Sequence, residues 1–256
     1  MKKLMFAVAA IAAGAAVADV TSANVVGYAG KDTGENYNYY VPQFLAIGNN
    51  TINIQSISLN DGGLGLVGWG DAMQIVGPLG NSEASYFYWD KSMDPTLTVT
   101  SDQYWGDEGF SPVAVSFDKG CGVAIDNPNA YDFQIQNAGE VMVGEVTVPA
   151  NINYTWTGNP FSAQINIQSI SLDDGGLGLV GWGDAMQVVG PLGNASESYF
   201  YWDKSMDPTL TVTADRYWGD EGFSPVSRNF VSGESFAIDN PNGYEFNIVI
   251  MCPYSL

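Results

Sequence analysis

Residues 52–112 return without a gap at 165–225, 113 positions later, and only seven of those 61 positions differ. INIQSISLNDGGLGLVGWGDAMQIVGPLGN in the first copy reads INIQSISLDDGGLGLVGWGDAMQVVGPLGN in the second. A repeat that long is a domain, so the chain presents one surface twice, and two copies are too few for a solenoid or a propeller. Fainter likenesses extend it. Val25-Val26-Gly27 matches Met142-Val143-Gly144, and Asn36-Tyr37-Asn38-Tyr39 matches Asn151-Ile152-Asn153-Tyr154. That spacing asks for a couple of extra residues within Lys31 to Glu35 of the first copy. Ala124 to Asn129 (AIDNPN) recurs at Ala237 to Asn242. Repeat 1 is therefore placed at 24–139 and repeat 2 at 140–256, each long enough for one domain.

Within a repeat the hydrophobic period is two. Thr51–Leu59, Met73–Val76, Ser85–Trp89, Leu97–Thr100, Val113–Phe117, Val123–Ile125, Tyr131–Ile135 and Val146–Pro149 are rich in Val, Ile, Thr and aromatic residues, and are expected as strands. Asn60-Asp61-Gly62-Gly63, Pro78 to Asn81, Lys119-Gly120 and Asp126 to Asn129 supply turns between them. Short strands at this spacing predict an all-β chain of two tandem β-sandwich domains, jelly-roll-like in form.

Ahead of the repeats, Met1-Lys2-Lys3, the apolar run Leu4–Val17 and the small-residue site Ala16-Val17-Ala18 have the layout of a cleaved secretory signal. Residues 1–18 are expected to be removed and the protein secreted, to the cell surface or periplasm. No segment reaches the roughly 20 apolar residues that spanning a bilayer needs, so no membrane insertion is expected. Without Lys2 and Lys3, six basic residues face 28 acidic ones, a formal charge of −22. Such a field repels nucleic acid and anionic headgroups. Solubility, cations and neutral glycans suit it. The aromatic content of 13% is ample for a packed core, so the charge does not imply disorder.

The chain contains no histidine, which removes Ser-His-Asp and Cys-His catalysis and the commonest zinc ligands. Cys121 aligns with Glu234 and Cys252 with Gly139, so the two cysteines are not equivalent under the repeat. In an oxidising compartment they either pair or stay as buried thiols, and two cysteines make no framework.

Two groups of residues could carry binding. Tyr86 and Tyr88 alternate along one strand with Phe87 and Trp89; Tyr199, Tyr201 and Trp202 repeat the pattern. One pair must be core, while the other, with Trp69, Trp105, Trp182 and Trp218, could stack on sugar rings. The competing reading buries both faces. The acidic turns, Asp61, Asp71, Asp107 and Asp126 with Asp174, Asp184, Asp220 and Asp239, offer oxygens of the kind calcium takes, although none forms an EF-hand loop. Paired carboxylates could hydrolyse glycosides, but any chain with 28 acids offers pairs. No catalytic residues and no cofactor other than calcium are expected.

Identity between the copies collapses after Pro112. Residues 114–122 (AVSFDKGCG) and 227–235 (SRNFVSGES) share only Phe and Gly. Either the inner segment was recently recopied, or use holds its surface fixed while the flanks drift.

Ser22-Ala-Asn-Val-Val-Gly-Tyr28, Gly193 to Trp202 and Val123 to Pro128 resemble segments of a group of secreted bacterial β-rich repeat proteins. The resemblance implies secretion and a β fold, and brings no activity or functional residues. Together these readings expect a secreted, non-enzymatic, bivalent binding module for extracellular glycan or protein. The alternatives are a structural component of the cell exterior or matrix and, behind it, a glycoside hydrolase. Exposed aromatics would favour binding; buried aromatics with an apolar interface between the repeats would favour the structural role.

Overall fold

The computed structural model describes residues 26–60, 72–76, 82–93, 96–127, 131–175, 185–189, 195–206 and 209–254. Residues 1–18, expected to be a secretory signal, lie outside them. Among the described residues, all regular structure beyond three-residue 3-10 turns is β. Among the described residues no helix is long and apolar enough to cross a membrane.

The first half runs β1 (Val26–Asp32), β2 (Asn36–Tyr40), β3 (Phe44–Leu45), β4 (Ile52–Asn53), β5 (Ile57–Asn60), β6 (Ala72–Val76), β7 (Ser82–Asp90), β8 (Gln103–Gly106), β9 (Ser116–Phe117), β10 (Val123–Asn127) and β11 (Gln134–Val141). Five strands form one antiparallel sheet in the order β2-β10-β6-β7-β8. In a second sheet β11 pairs with β1, and also takes β5 and then β3 as partners along its length.

The second half comprises β12 (Val146–Ala150), β13 (Asn153–Gly158), β14 (Ile165–Asn166), β15 (Ile170–Asp173), β16 (Ala185–Val189), β17 (Ala195–Asp203), β18 (Arg216–Gly219), β19 (Asn229–Phe230), β20 (Ser235–Asn240) and β21 (Phe246–Ile250). Its sheets, β13-β20-β16-β17-β18 and β12-β21-β15, repeat the first half's order, and the small pair β14-β19 repeats β4-β9. Among the described residues, every strand pairing stays within its own half. β11 runs on to Val141, two residues past the boundary read from the sequence, and Met142–Glu145 connect the halves.

Register corrects the alignment of the two openings. Asn36 lies opposite Asn127 and Asn153 opposite Asn240, so Asn36 corresponds to Asn153 and Tyr39 to Trp156. Asn36 and Asn153 also share a left-handed backbone, with φ of 67° and 72°. Asp32 opposite Gln134 and Pro149 opposite Asn247 give the same spacing, so no extra residues lie within Lys31 to Glu35. The first half's additional residues fall between Tyr40 and Ile52, where they build β3, which has no counterpart.

Four expected strands come out differently: Val113–Phe117 is strand only over Ser116–Phe117, Tyr131–Ile135 only from Gln134, and two more are broken or unpaired. Thr51–Leu59 breaks at a 3-10 turn over Ile54–Ser56, because the Asn53 side chain accepts from the Gln55 backbone N–H. The freed Gln55 side chain then donates to the Trp105 and Val113 carbonyls and accepts from the Trp105 N–H, as Gln168 does with Trp218 and Val226. Leu97–Thr100 joins no ladder; Lys91 Nζ takes the Val99 carbonyl at 2.6 Å. Elsewhere the alternation holds, as in β12, where Val146, Val148 and Ala150 point inward and Thr147 and Pro149 outward. One continuous core joins inward residues of both halves.

Candidate functional site

Two regions are set apart by the fold: the seam between the halves, and the far edges of the five-stranded sheets. β2 and β13 sit at the sheet edges nearest the seam. Tyr39 and Trp156 stack across it with ring centroids 4.6 Å apart and planes 19° from parallel. Because they occupy equivalent positions, the halves meet about a local two-fold axis. Gly233, at φ 72° in the turn after β19, receives Tyr40 and Gln43 of the first half; a Cβ there would lie 2.8 Å from the Tyr40 ring. Its counterpart Gly120, at φ 77°, receives Val146, Val148 and Thr157 of the second half; a Cβ there would lie 2.6 Å from Val148. The Val41 N–H donates to the Gly233 carbonyl at 3.2 Å, and the Thr157 hydroxyl to the Gly120 carbonyl at 2.8 Å. The divergent segments 114–122 and 227–235 are therefore the seam turns.

Gly30, Lys31, Val231, Ser232 and Glu234 line a cleft of about 580 Å³ on one side of this seam. Lys31 Nζ donates to the Tyr39 carbonyl at 2.6 Å. Burial holds its ammonium below the ordinary lysine range, and the nearby Glu234 carboxylate works against that shift. Glu234 accepts from Arg228 at 2.6 Å, and Arg228 also reaches Glu197 at 2.8 Å. Tyr199 donates to the same Glu197 oxygen at 2.8 Å, and the Arg228 and Tyr199 hydrogen bonds hold that carboxyl below the usual glutamate range.

The far edges, β8 and β18, carry the duplicated sequence. Thr96, Thr98, Thr100, Asp102, Asp107 and Glu108 are exposed there, as are Thr209, Thr211, Thr213, Asp215, Asp220 and Glu221. Asp107 Oδ1 accepts from the Gly109 and Ser111 N–H groups at 2.9 Å each, and Asp220 does the same with Gly222 and Ser224. These caps hold Phe110 and Phe223 at φ 65° and 64°, a backbone that bulky residues rarely adopt. Each ring packs at 4.5 Å on Trp89 or Trp202.

The stacking-platform expectation is corrected for most of its rings. Tyr88, Trp89, Trp105, Tyr201, Trp202 and Trp218 are all at most 6% exposed. A ring so enclosed offers no face to a sugar. At Tyr88 and Trp89 both faces of β7 are covered, since Tyr88 packs on Trp105 at 4.9 Å while Trp89 is capped by Phe110. The Trp89 and Trp105 indole N–H groups are spent on the Asp107 and Ile57 carbonyls. Tyr86 and Tyr199 remain half-buried. Trp69, Trp182, Asp61, Asp71 and Asp184 lie outside the described residues. No known protein family matches this chain, and no curated protein or solved structure does so.

Of the acidic residues, Asp174 is buried and pairs with Arg216 at 3.5 Å. Asp126 and Asp239 are half-buried, and burial raises both carboxyls above the aspartate range. Among the described residues no three acidic or thiol side chains converge on one point. Cys121 and Cys252 are not joined by a disulfide. Sequence reading missed Gln55, Gln168 and the Lys31–Glu234 cleft. The two glutamines were legible only as members of the identical stretch, and nothing in the sequence placed Lys31 beside a residue 203 positions away.

Proposed function

We propose that this is a secreted, non-enzymatic module of two tandem β-sandwich domains that binds an extracellular partner bivalently. The observation that carries this reading is where sequence identity falls in the fold. The seam turns have diverged almost completely, whereas β8 and β18 with their flanking loops, four strands from the seam edge, are nearly the same in both halves. At about 4.8 Å per strand that is roughly 19 Å across the sheet. Two like edges facing away from a common seam can engage one multivalent partner, and linked sites gain avidity through effective concentration. Threonine hydroxyls and carboxylates dominate the edges, so hydroxyl-rich glycans and cationic protein surfaces match them in chemistry.

A binding screen of residues 19–256 against polysaccharides and extracellular proteins, with calcium and again with EDTA, tests the reading. Saturable binding is expected. Glu108→Lys and Glu221→Lys, one edge each, should each reduce avidity toward the single-site affinity and by the same factor. Absence of saturable binding, or an effect confined to one variant, would count against it.

The structural role is supported by a different observation. Tyr88, Trp89, Trp105 and their counterparts are core, and one apolar core continues from one half into the other. Concentration-dependent assembly in sedimentation, without partner binding, would favour that reading.

A further inference from the structure

The two sides of the seam are equivalent in backbone but not in side chains. Lys31 lies opposite Ile135 and Val148 opposite Ile248, residues 113 apart, so Lys31 and Val148 hold the same position. On the facing turns, Glu234 corresponds to Cys121. One side thus places the Lys31 ammonium and the Glu234 carboxylate on one cleft, within electrostatic reach of each other but without a direct ion pair. The other sets Val148 against Gly120, next to Cys121. The difference extends outward from the seam. The ionic set Glu197, Arg228 and Glu234 is matched in the first half by Ala84, Val115 and Cys121.

We propose that these paired differences make the seam face of each half specific for the other half and unfit for a copy of itself. Were two first halves to pair this way, each Lys31 would meet Cys121, leaving a half-buried ammonium without a carboxylate. Were two second halves to pair, each Val148 would meet Glu234, setting a methyl group against a charge. A buried charge stripped of its partner is costly, whereas an apolar pair or an ion pair is tolerated. Only the unlike pairing satisfies both sides. The divergence of 114–122 from 227–235 is then a pairing code, and the proposal holds whatever the outer edges bind.

The test uses the full chain and its thermal melt in reducing buffer. Glu234→Cys alone removes the carboxylate that faces Lys31 and also a partner of Arg228, and should lower Tm by roughly 5 °C. Adding Lys31→Val should restore the part of that loss that belongs to Lys31 and leave the Arg228 part. On the other side Val148→Lys alone should lower Tm at least as far, and Cys121→Glu should rescue it in the double variant. A single variant that fails to fold while its double folds makes the same point. If each double variant is as unstable as the sum of its singles, or fails to fold as well, the proposal is overturned.

Discussion

Tyr39 and Trp156 stand at the same place in the two halves, opposite Ala124 and Ala237, and stack on each other at 4.6 Å. A residue that meets its own counterpart across an interface marks the axis of an isologous contact. Trp156→Ala removes one member of that stack and should cost about 2 kcal/mol, near the lower end for a large aromatic because Trp156 is only half-buried. Trp156→Phe keeps a ring in place and deletes an indole N–H that has no hydrogen-bond partner, so it should sit close to wild type. Differential scanning calorimetry reads both, and equal losses in the two variants would mean that the stack contributes nothing.

Trp89 and Trp202 have matching surroundings, down to the same 2.8 Å bond from the indole N–H to the Asp107 or Asp220 carbonyl. Both are fully enclosed. Trp89→Ala and Trp202→Ala should each cost about 3–5 kcal/mol, and equally. Denaturant melts measure this. A variant that kept its wild-type midpoint would return that ring to the surface and to the list of binding candidates.

How much of this was legible differs by element. Strand content, the repeat and the turn after Asp239, where Asn240 accepts from the Asn242 N–H, follow from local chemistry: alternation, β-branched residues and Asx turns. Trp89 and Trp105 were visible as aromatics, but their burial depends on Phe110 and Ile57, contacts that periodicity cannot assign. The misplacement of extra residues to Lys31–Glu35 arose because two Asn-x-Asn motifs aligned by letter, whereas the ladder to β10 and β20 fixes the true match. The clustering of differences after Pro112 was visible too, yet its cause was not. Contacts of Gly120 and Gly233 with the opposite half are long-range, and only the fold shows that those turns touch.

Asp126 and Asp239 give stability an unusual pH dependence. Burial raises both carboxyls, and a hydrogen bond from Tyr154 partly opposes this at Asp239. A folded-state pKa above the unfolded value means that ionisation works against folding. The cost is full above the raised value and vanishes as pH falls below the ordinary aspartate range. Asp126→Asn should therefore raise Tm slightly at pH 7 and have no effect near pH 3. Asp90 and Asp203, lowered by hydrogen bonds from Ser92 and Ser205, act with the opposite sign: their contribution exists at neutral pH and is lost in acid. Thermal melts across pH 3–8 separate the two; an Asp126→Asn gain that persists at pH 3 would show that packing, not charge, is responsible.

The two cysteines carry a prediction of their own. With Cys121 and Cys252 unjoined, denatured protein prepared without reductant should titrate two thiols per chain, and reductant should leave Tm unchanged. A native pair would instead close a loop of about 130 residues, and reducing it would remove on the order of 3–5 kcal/mol. Zero thiols with a reductant-sensitive melt would establish that bond.

Charge bears on the whole molecule. The chain has a formal charge of −20, and five of its eight cationic side chains are engaged within the protein. Lys31, Lys91 and Lys204 donate to the Tyr39, Val99 and Val212 carbonyls, while Arg216 and Arg228 pair with Asp174, Glu197 and Glu234. The outer surface is left with carboxylates that repel one another over the screening length, about 30 Å at 0.01 M salt and about 10 Å at 0.1 M. Self-repulsion of this kind destabilises a compact state. Raising NaCl from 10 to 200 mM should therefore increase Tm, even though the same salt weakens the Arg228 pairs. If Tm falls instead, those ion pairs outweigh the surface field, and the ionic side of the seam would be the principal electrostatic contribution to the fold.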